Sequence, residues 1–141
     1  MQTIRVLLAD DHAGVRRSIR RILESAADIE VVGEAGNGCE ALRLVEDLEP
    51  DVLLLDMEMP GMKGVEVARR LRAAASTVCI LVLSAYDDRQ YIQGMLAIGA
   101  AGYLTKDELP SVLVQAMRRV TRGEHGWIGG HTPAKSRPAV I

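Results

Sequence analysis

A short apolar run near the middle of the chain decides the fold. Residues 52–56 read Val-Leu-Leu-Leu-Asp, four aliphatic side chains followed by a carboxylate. A run that is this short and apolar throughout is typical of a strand covered on both faces in a parallel sheet. Residues 78–83 have the same character, and so do residues 4–9 apart from Arg5. The three runs therefore predict three central strands.

Stretches with helical spacing separate these runs from one another and from two further apolar runs, at residues 29–32 and 100–104. The stretch over residues 87–98 is the weakest helix, because Gly94 interrupts it. Five strands alternating with five helices predict βα units and a parallel α/β sheet. The expected fold is a doubly wound, flavodoxin-like sheet in the order 2-1-3-4-5, with helices on both faces.

The sequence changes character after about Arg122. Glycine and proline crowd the remaining residues, and little hydrophobic periodicity is left. This composition is typical of a linker or a frayed end. We predict one domain over residues 1–122 and a linker-like tail over residues 123–141.

The composition excludes several classes of protein. Lys and Arg number 17 against 19 Asp and Glu, which argues against a basic nucleic-acid-binding domain and a polybasic membrane-surface module. Aromatic residues make up only 3% of the 141 residues, too few for a base-stacking platform. Two cysteines, Cys39 and Cys79, cannot build a disulfide framework. With no signal-peptide pattern and no membrane-spanning run, the chain is expected to be cytoplasmic, without a membrane partner.

Polar side chains follow four of the five predicted strands. Asp10 and Asp11 follow the first, Asp56 the third, Ser84 the fourth and Lys106 the fifth. Taken singly, each is more typical of a turn residue or a solvated charge. Because parallel strands end at the same edge of a sheet, we expect these side chains to converge there.

Three converging carboxylates repel one another unless a cation lies among them. Mg²⁺ prefers oxygen ligands and is the cation expected at this site. Together with Lys106, it would balance the three negative charges. Such a site can accept a phosphoryl group, and aspartate is a covalent acceptor of one. His12, next to the acidic pair, is expected to play no part in metal binding, since Mg²⁺ prefers oxygen.

Several motifs at these strand ends carry a family resemblance. Over about residues 3–122, the sequence resembles the receiver domain of bacterial two-component response regulators, and in particular the LuxR/NarL-type branch. Each motif alone is weak, and together they are highly specific. The matching stretches are residues 8–12 (Leu-Ala-Asp-Asp-His), 33–38 (Gly-Glu-Ala-Gly-Asn-Gly), 56–64 (Asp-Met-Glu-Met-Pro-Gly-Met-Lys-Gly), 84–85 (Ser-Ala) and 99–106 (Gly-Ala-Ala-Gly-Tyr-Leu-Thr-Lys).

The resemblance implies a phosphoryl-transfer site. Asp56 would be the phosphoacceptor and would take the group from a phosphohistidine on a sensor histidine kinase. Asp11 and Asp56 would hold Mg²⁺ together with the backbone carbonyl of Glu58, and Asp10 would help directly or through water. Lys106 would pair first with Asp56 and then with a phosphoryl oxygen. The metal and the lysine would act by neutralising the transferring group.

The resemblance also implies a switch. The Ser84 hydroxyl would bind a phosphoryl oxygen and move, and Tyr103 would turn inward with it. The surface formed by the fourth helix, fifth strand and fifth helix would change, and a phosphorylation-dependent homodimer is one expected outcome. Glu58 and Tyr86, two residues past Asp56 and Ser84, are expected to shield the phosphate and lengthen its lifetime.

Two features depart from the family pattern. Asp107 follows the lysine where receivers often have proline, so a cis peptide bond is not expected there. Nothing in the tail resembles a helix-turn-helix, so the chain would be either a truncated regulator or a stand-alone receiver that acts in a phosphorelay. Contact with DNA would require an output domain outside this chain.

Two other classes of protein fit less well. A Mg²⁺-dependent phosphohydrolase would usually place Asp-x-Asp on the first strand, whereas Asp10 and Asp11 are adjacent. A flavin or nucleotide carrier would need a phosphate-binding loop after that strand, where the acidic pair would repel phosphate. A basic face on the first helix, formed by Arg16, Arg17, Arg20 and Arg21, is expected to be solvated.

Overall fold

The computed structural model describes residues 3–85, 89–106, 112–124 and 127–128. Within these ranges the strands form one parallel sheet in the order β2-β1-β3-β4-β5-β6. The predicted order 2-1-3-4-5 is confirmed, and β6 extends it at one edge. The strands are β1 (Ile4–Ala9), β2 (Ile29–Ala35), β3 (Val52–Asp56), β4 (Cys79–Ser84), β5 (Gly102–Thr105) and β6 (Trp127–Ile128).

Helices connect the strands, as the spacing predicts. They are α1 (Ala13–Glu24), α2 (Gly38–Leu48), α3 (Gly64–Ala73), α4 (Arg89–Ile98) and α5 (Leu113–Thr121). The helix expected over residues 87–98 is present from Arg89 despite Gly94, where an added Cβ would meet nothing within 4 Å. None of the helices in the described ranges is long and apolar enough to cross a bilayer.

Two hydrophobic cores lie on the two faces of the sheet, because successive strand residues point to opposite sides. On β3, Leu53 faces a core that α2, α3 and α4 cover, and Leu54 faces a core that α1 and α5 cover. Both side chains are almost fully buried, which explains why the run is apolar without alternation. Replacing either by Ala should cost about 2–5 kcal/mol of stability.

Strand β2 continues to Ala35, beyond the apolar run that ends at Val32, and its exposed Glu30 alternates with buried residues as in an edge strand. The pairing register between β1 and β2 shifts between Val6 and Leu7. At Gly33 an added Cβ would lie 2.8 Å from Leu48 Cδ1, so a larger residue there would have to displace the side chain of Leu48 on α2.

The register brings the strand ends to one level. Asp56 pairs with Leu83, and Ser84 pairs with Thr105. The backbone N–H of Asp10 donates to the carbonyl of Ala35, 3.0 Å away. The polar residues that follow β1, β3, β4 and β5 therefore share one edge of the sheet.

Strand β6 was not predicted. Trp127 pairs with Gly102 and Ile128 with Tyr103, within a stretch whose glycines indicated a linker. Two residues are too few to produce a period-2 pattern, so the sequence carries no signal for this strand. The predicted domain boundary at residue 122 remains a prediction.

Candidate functional site

An acidic pocket lies at the carboxyl edge of the sheet. Asp10 and Asp56 are buried, 3% and 1% exposed, at the ends of β1 and β3. The Nζ of Lys106 lies 3.3 Å from Oδ1 of Asp56 and 3.6 Å from Oδ2 of Asp10. The convergence that the strand ends predicted is thus present for these three residues.

Local backbone geometry orients the two buried carboxylates. Asp10 Oδ1 accepts a hydrogen bond of 2.9 Å from the N–H of His12, and Asp56 Oδ1 accepts one of 3.1 Å from the N–H of Glu58. Each aspartate thus bonds to the backbone two residues further on, a common conformation where a strand turns into a loop. The second oxygen of each carboxylate, Oδ2, is buried.

Three carboxylate oxygens in the pocket are buried and accept no hydrogen bond from the described part of the chain. They are Asp10 Oδ2, Asp11 Oδ1 and Asp56 Oδ2. Such atoms are costly unless a cation or water satisfies them, and an all-oxygen set suits Mg²⁺. The residues therefore fit the cation that the sequence predicted.

His12 lies at the rim of this acidic group. Its Nδ1 is 3.3 Å from Asp11 Oδ1, and its side chain is 70% exposed. Possible metal-ligand atoms of Asp10, Asp11 and His12 lie within 4.8 Å of one another, so this cluster could hold a metal ion. The imidazole is a poorer ligand for Mg²⁺ than the oxygens beside it, so the geometry leaves the carboxylates as the better ligands.

The protonation of Asp56 reflects its burial. Its pKa is raised from 3.8 to about 6, chiefly by desolvation; the N–H of Glu58 and the charge of Lys106 oppose the rise, and the charge of Asp10 adds to it. Burial lowers the pKa of Lys106, but the negative charges of Asp56 and Asp10 outweigh it, and the net shift is upward. At neutral pH, Asp56 is therefore mostly anionic and Lys106 is a cation.

Ser84 bonds to a side chain that the sequence did not assign to it. Its Oγ donates a hydrogen bond of 2.8 Å to Glu58 Oε2, and the N–H of Ala85 donates one of 3.1 Å to Glu58 Oε1. Ser84 is 1% exposed. Ser84 ends β4 at the same edge of the sheet, and its contact with Glu58 was not predicted.

The comparison with known families agrees with this geometry. The family model for the response regulator receiver domain matches residues 6–118. The chain belongs to this family. A receiver domain is a signalling domain and not a conventional enzyme.

Known proteins with similar sequences include a response regulator and a transcriptional regulatory protein. The chain is 40% identical over 119 residues to the nitrate/nitrite response regulator protein NarL of Escherichia coli, covering 84% of this chain and 55% of that protein. It is 40% identical over 121 residues to the transcriptional regulatory protein YxjL of Bacillus subtilis, covering 86% and 56%. The receiver thus spans about half the length of these relatives.

Solved receiver structures share the fold. The signal receiver domain of a response regulator NarL from Mycobacterium tuberculosis has a TM-score of 0.84 and 37% identity, with 88% of this chain and 100% of that chain covered. A LuxR-family response regulator from Aurantimonas has a TM-score of 0.88 and 31% identity, with 99% and 100% covered. Both the family and the LuxR/NarL-type branch are therefore as the motifs indicated.

Of the two tyrosines predicted to act at this site, the structure describes only Tyr103. Tyr103 is 1% exposed and belongs to the core between the sheet and the α2, α3 and α4 helices, so its ring is inward in this structure. Tyr86 lies outside the described residues. The roles predicted for them in switching and shielding remain predictions.

The basic face of α1 is not solvated throughout, contrary to expectation. Arg16 Nε donates to Glu34 Oε1 at 3.0 Å, and Arg20 Nη1 donates to Glu34 Oε2 at 2.6 Å. The hydrogen bond from Arg20 lowers the pKa of Glu34. Partial burial opposes this shift, and the hydrogen bond from Arg16 lowers the pKa further. Arg17 and Arg21 are exposed, as expected. Glu34 on β2 therefore binds two arginines of α1.

Proposed function

We propose that this receiver takes a phosphoryl group from a sensor histidine kinase onto Asp56, in a Mg²⁺-dependent reaction that switches its conformation. The observation that carries the proposal is the surroundings of Asp56. Its carboxylate is buried, it lies 3.3 Å from the ammonium of Lys106, and its Oδ2 is one of three pocket oxygens without a donor in the described chain.

Asp56 is suited to act as the nucleophile. Its carboxylate oxygen would form a bond to phosphorus as the bond between phosphorus and the kinase imidazole nitrogen breaks, and the electron pair of that bond would leave with the imidazole. At neutral pH the carboxylate is mostly deprotonated, since its pKa is about 6. Lys106 is placed to bind an oxygen of the incoming group, because it already pairs with Asp56.

Mg²⁺ would be held by Asp11, Asp56 and the backbone carbonyl of Glu58, with Asp10 helping. When bound, the ion would offset negative charge on the phosphoryl oxygens. The protein's own contribution is to keep these oxygens fixed beforehand, which the N–H groups of His12 and Glu58 do for Asp10 and Asp56.

The switch would begin at Ser84. A phosphoryl group on Asp56 offers oxygens that compete with Glu58 for the Ser84 hydroxyl. Ser84 would then move, and the packing of Tyr103 against α4 would change with it. The surface of α4, β5 and α5 would become a dimer or partner surface in the phosphorylated state.

The output would be transcription regulation through DNA binding in the full-length protein. NarL and YxjL are named as a response regulator and a transcriptional regulatory protein, and the receiver covers only 55% and 56% of their lengths. The DNA-binding part would therefore lie outside this receiver, whose own charge balance does not suit a nucleic-acid surface.

The experiment is phosphorylation by phosphoramidate, which supplies a phosphorus–nitrogen bond as a phosphohistidine does. Wild type with Mg²⁺ should gain one phosphoryl group by intact mass, and EDTA should abolish the gain. Lys106→Met should lower the rate, whereas Lys63→Met, at an exposed position before α3, should leave it unchanged. An undiminished yield in EDTA would refute the proposal.

A further inference from the structure

Arg16 bridges the acidic pocket and the edge strand β2. Its Nη1 donates a hydrogen bond of 2.6 Å to the backbone carbonyl of Asp10, and its Nε donates one of 3.0 Å to Glu34 Oε1. The side chain is only 20% exposed. One guanidinium therefore joins α1, the end of β1 and β2.

The bond to Asp10 forms where the β1–β2 ladder stops. The N–H of Asp10 still pairs with Ala35, but the N–H of Gly36 turns to Glu40 Oε1, and Asn37 caps α2 through a bond from the N–H of Glu40. As β2 departs into α2, the guanidinium of Arg16 binds the Asp10 carbonyl.

This carbonyl belongs to the peptide that joins Asp10 to Asp11. Holding the plane of that peptide restricts ψ of Asp10 and φ of Asp11, and thereby the directions in which both side chains leave the backbone. Both carboxylates place a buried oxygen without a donor in the pocket, so their orientation decides whether a cation finds its ligands in place. Groups that orient ligands typically change metal affinity 10- to 100-fold when removed.

We propose that Arg16 is a positioning residue for the acidic pair, with Glu34 as its anchor. It holds the Asp10–Asp11 peptide so that the two carboxylates stand ready for Mg²⁺. The proposal rests on the function proposed above and adds a residue that neither motif nor strand end indicated. A lysine cannot reproduce it fully, because its single nitrogen cannot occupy the positions of both Nε and Nη1, from which Arg16 donates to Glu34 and to the carbonyl.

Arg20 provides a matched control. It lies one turn further along α1 and binds the same carboxylate, with Nη1 2.6 Å from Glu34 Oε2, and it also pairs with Glu24. Arg20→Met removes a comparable charge and a comparable ion pair. It does not remove a bond to the Asp10–Asp11 peptide.

The test measures Mg²⁺ affinity in two ways. Isothermal titration calorimetry gives Mg²⁺ binding to the unphosphorylated protein, and the initial phosphorylation rate with phosphoramidate is followed across Mg²⁺ concentrations. Arg16→Met should weaken Mg²⁺ binding and raise the Mg²⁺ midpoint by about tenfold, with a near-normal rate at saturating Mg²⁺. Arg16→Lys should fall in between, and Arg20→Met should match wild type.

Equal Mg²⁺ affinities of Arg16→Met and Arg20→Met would overturn the inference alone. A wild type that binds no Mg²⁺ would instead refute the proposed function, and this inference with it. Thermal unfolding in EDTA checks that each variant folds. If Arg16→Met does not fold, Glu34→Gln serves in its place, since it releases the anchor and keeps the guanidinium. It should raise the midpoint by a few-fold, and an unchanged midpoint would overturn the inference.

Discussion

The hydroxyl of Ser84 donates a hydrogen bond of 2.8 Å to the carboxylate of Glu58, whose other oxygen accepts the N–H of Ala85 at 3.1 Å. A carboxylate and a phosphoryl group both offer anionic oxygens to such donors. In this structure, Glu58 therefore holds the Ser84 hydroxyl that the switch is expected to use. A phosphoryl group on Asp56 would have to displace the Glu58 carboxylate from this hydroxyl.

Removing this contact should ease phosphorylation. Glu58→Ala takes away both the competing anion and its repulsion of the incoming group, and we expect the rate with a small phosphodonor to rise by up to about tenfold, or ~1.4 kcal/mol of barrier. Glu46→Ala, at an exposed position on α2, is the control. An unchanged or lower rate in Glu58→Ala would show that the contact does not restrain the site.

The lifetime of the phosphorylated state is a separate prediction. Glu58 and Tyr86 are expected to overhang the path by which water reaches the phosphate in line with the new bond. Glu58→Asn and Tyr86→Ala should each speed dephosphorylation by about tenfold, or ~1.4 kcal/mol. The measurement is the decay of labelled phosphoprotein at saturating Mg²⁺ after the donor is removed. Unchanged or slower decay in both variants would contradict shielding.

Ser84 should be required for the response and not for the chemistry. Ser84→Ala should still accept a phosphoryl group, but it loses the bond by which phosphorylation favours the switched state. Phosphorylation is first verified by mass, and association is then measured by light scattering with and without the donor. Phosphorylation-dependent association equal to that of wild type would contradict this coupling.

The burial of Asp56 predicts a stability cost in the absence of Mg²⁺. Its pKa rises from 3.8 to about 6 on folding, so the folded state binds the proton more tightly, and stability falls as pH rises from about 4 through 6. The ceiling on this cost is about 3 kcal/mol. Asp56→Asn cannot ionise at this position and should be the more stable protein in EDTA at pH 8.

Urea unfolding at pH 4 and pH 8 measures that difference. The gap between Asp56→Asn and wild type should be small at pH 4, largest at pH 8, and reduced at pH 8 by saturating Mg²⁺. Asp47→Asn, an exposed position on α2, controls for a general charge effect. A wild type as stable as Asp56→Asn in EDTA at pH 8 would contradict the prediction.

The sheet and the acidic pocket were predictable because both follow from periodicity. Leu53 and Leu54 face opposite cores, which requires a run apolar at every position. The parallel register then brings Asp10, Asp56 and Lys106 to one edge without any knowledge of side-chain contacts.

The contacts that tune the pocket could not be predicted in the same way. Glu58, after β3, accepts a hydrogen bond from Ser84 at the end of the neighbouring strand β4. Arg16 binds both Glu34 and the Asp10 carbonyl. Each depends on the rotamer of a long side chain, which sequence spacing does not specify. A charged residue beside a strand end is compatible with solvent or with a partner, and only the folded structure distinguishes the two.

The identity of the phosphoacceptor is the central claim, and intact mass after treatment with phosphoramidate and Mg²⁺ tests it most directly. Wild type should gain one phosphoryl group, and Asp56→Ala should gain none. Asp47→Ala, at the exposed α2 position, should match wild type. A full phosphoryl adduct on Asp56→Ala would contradict the account.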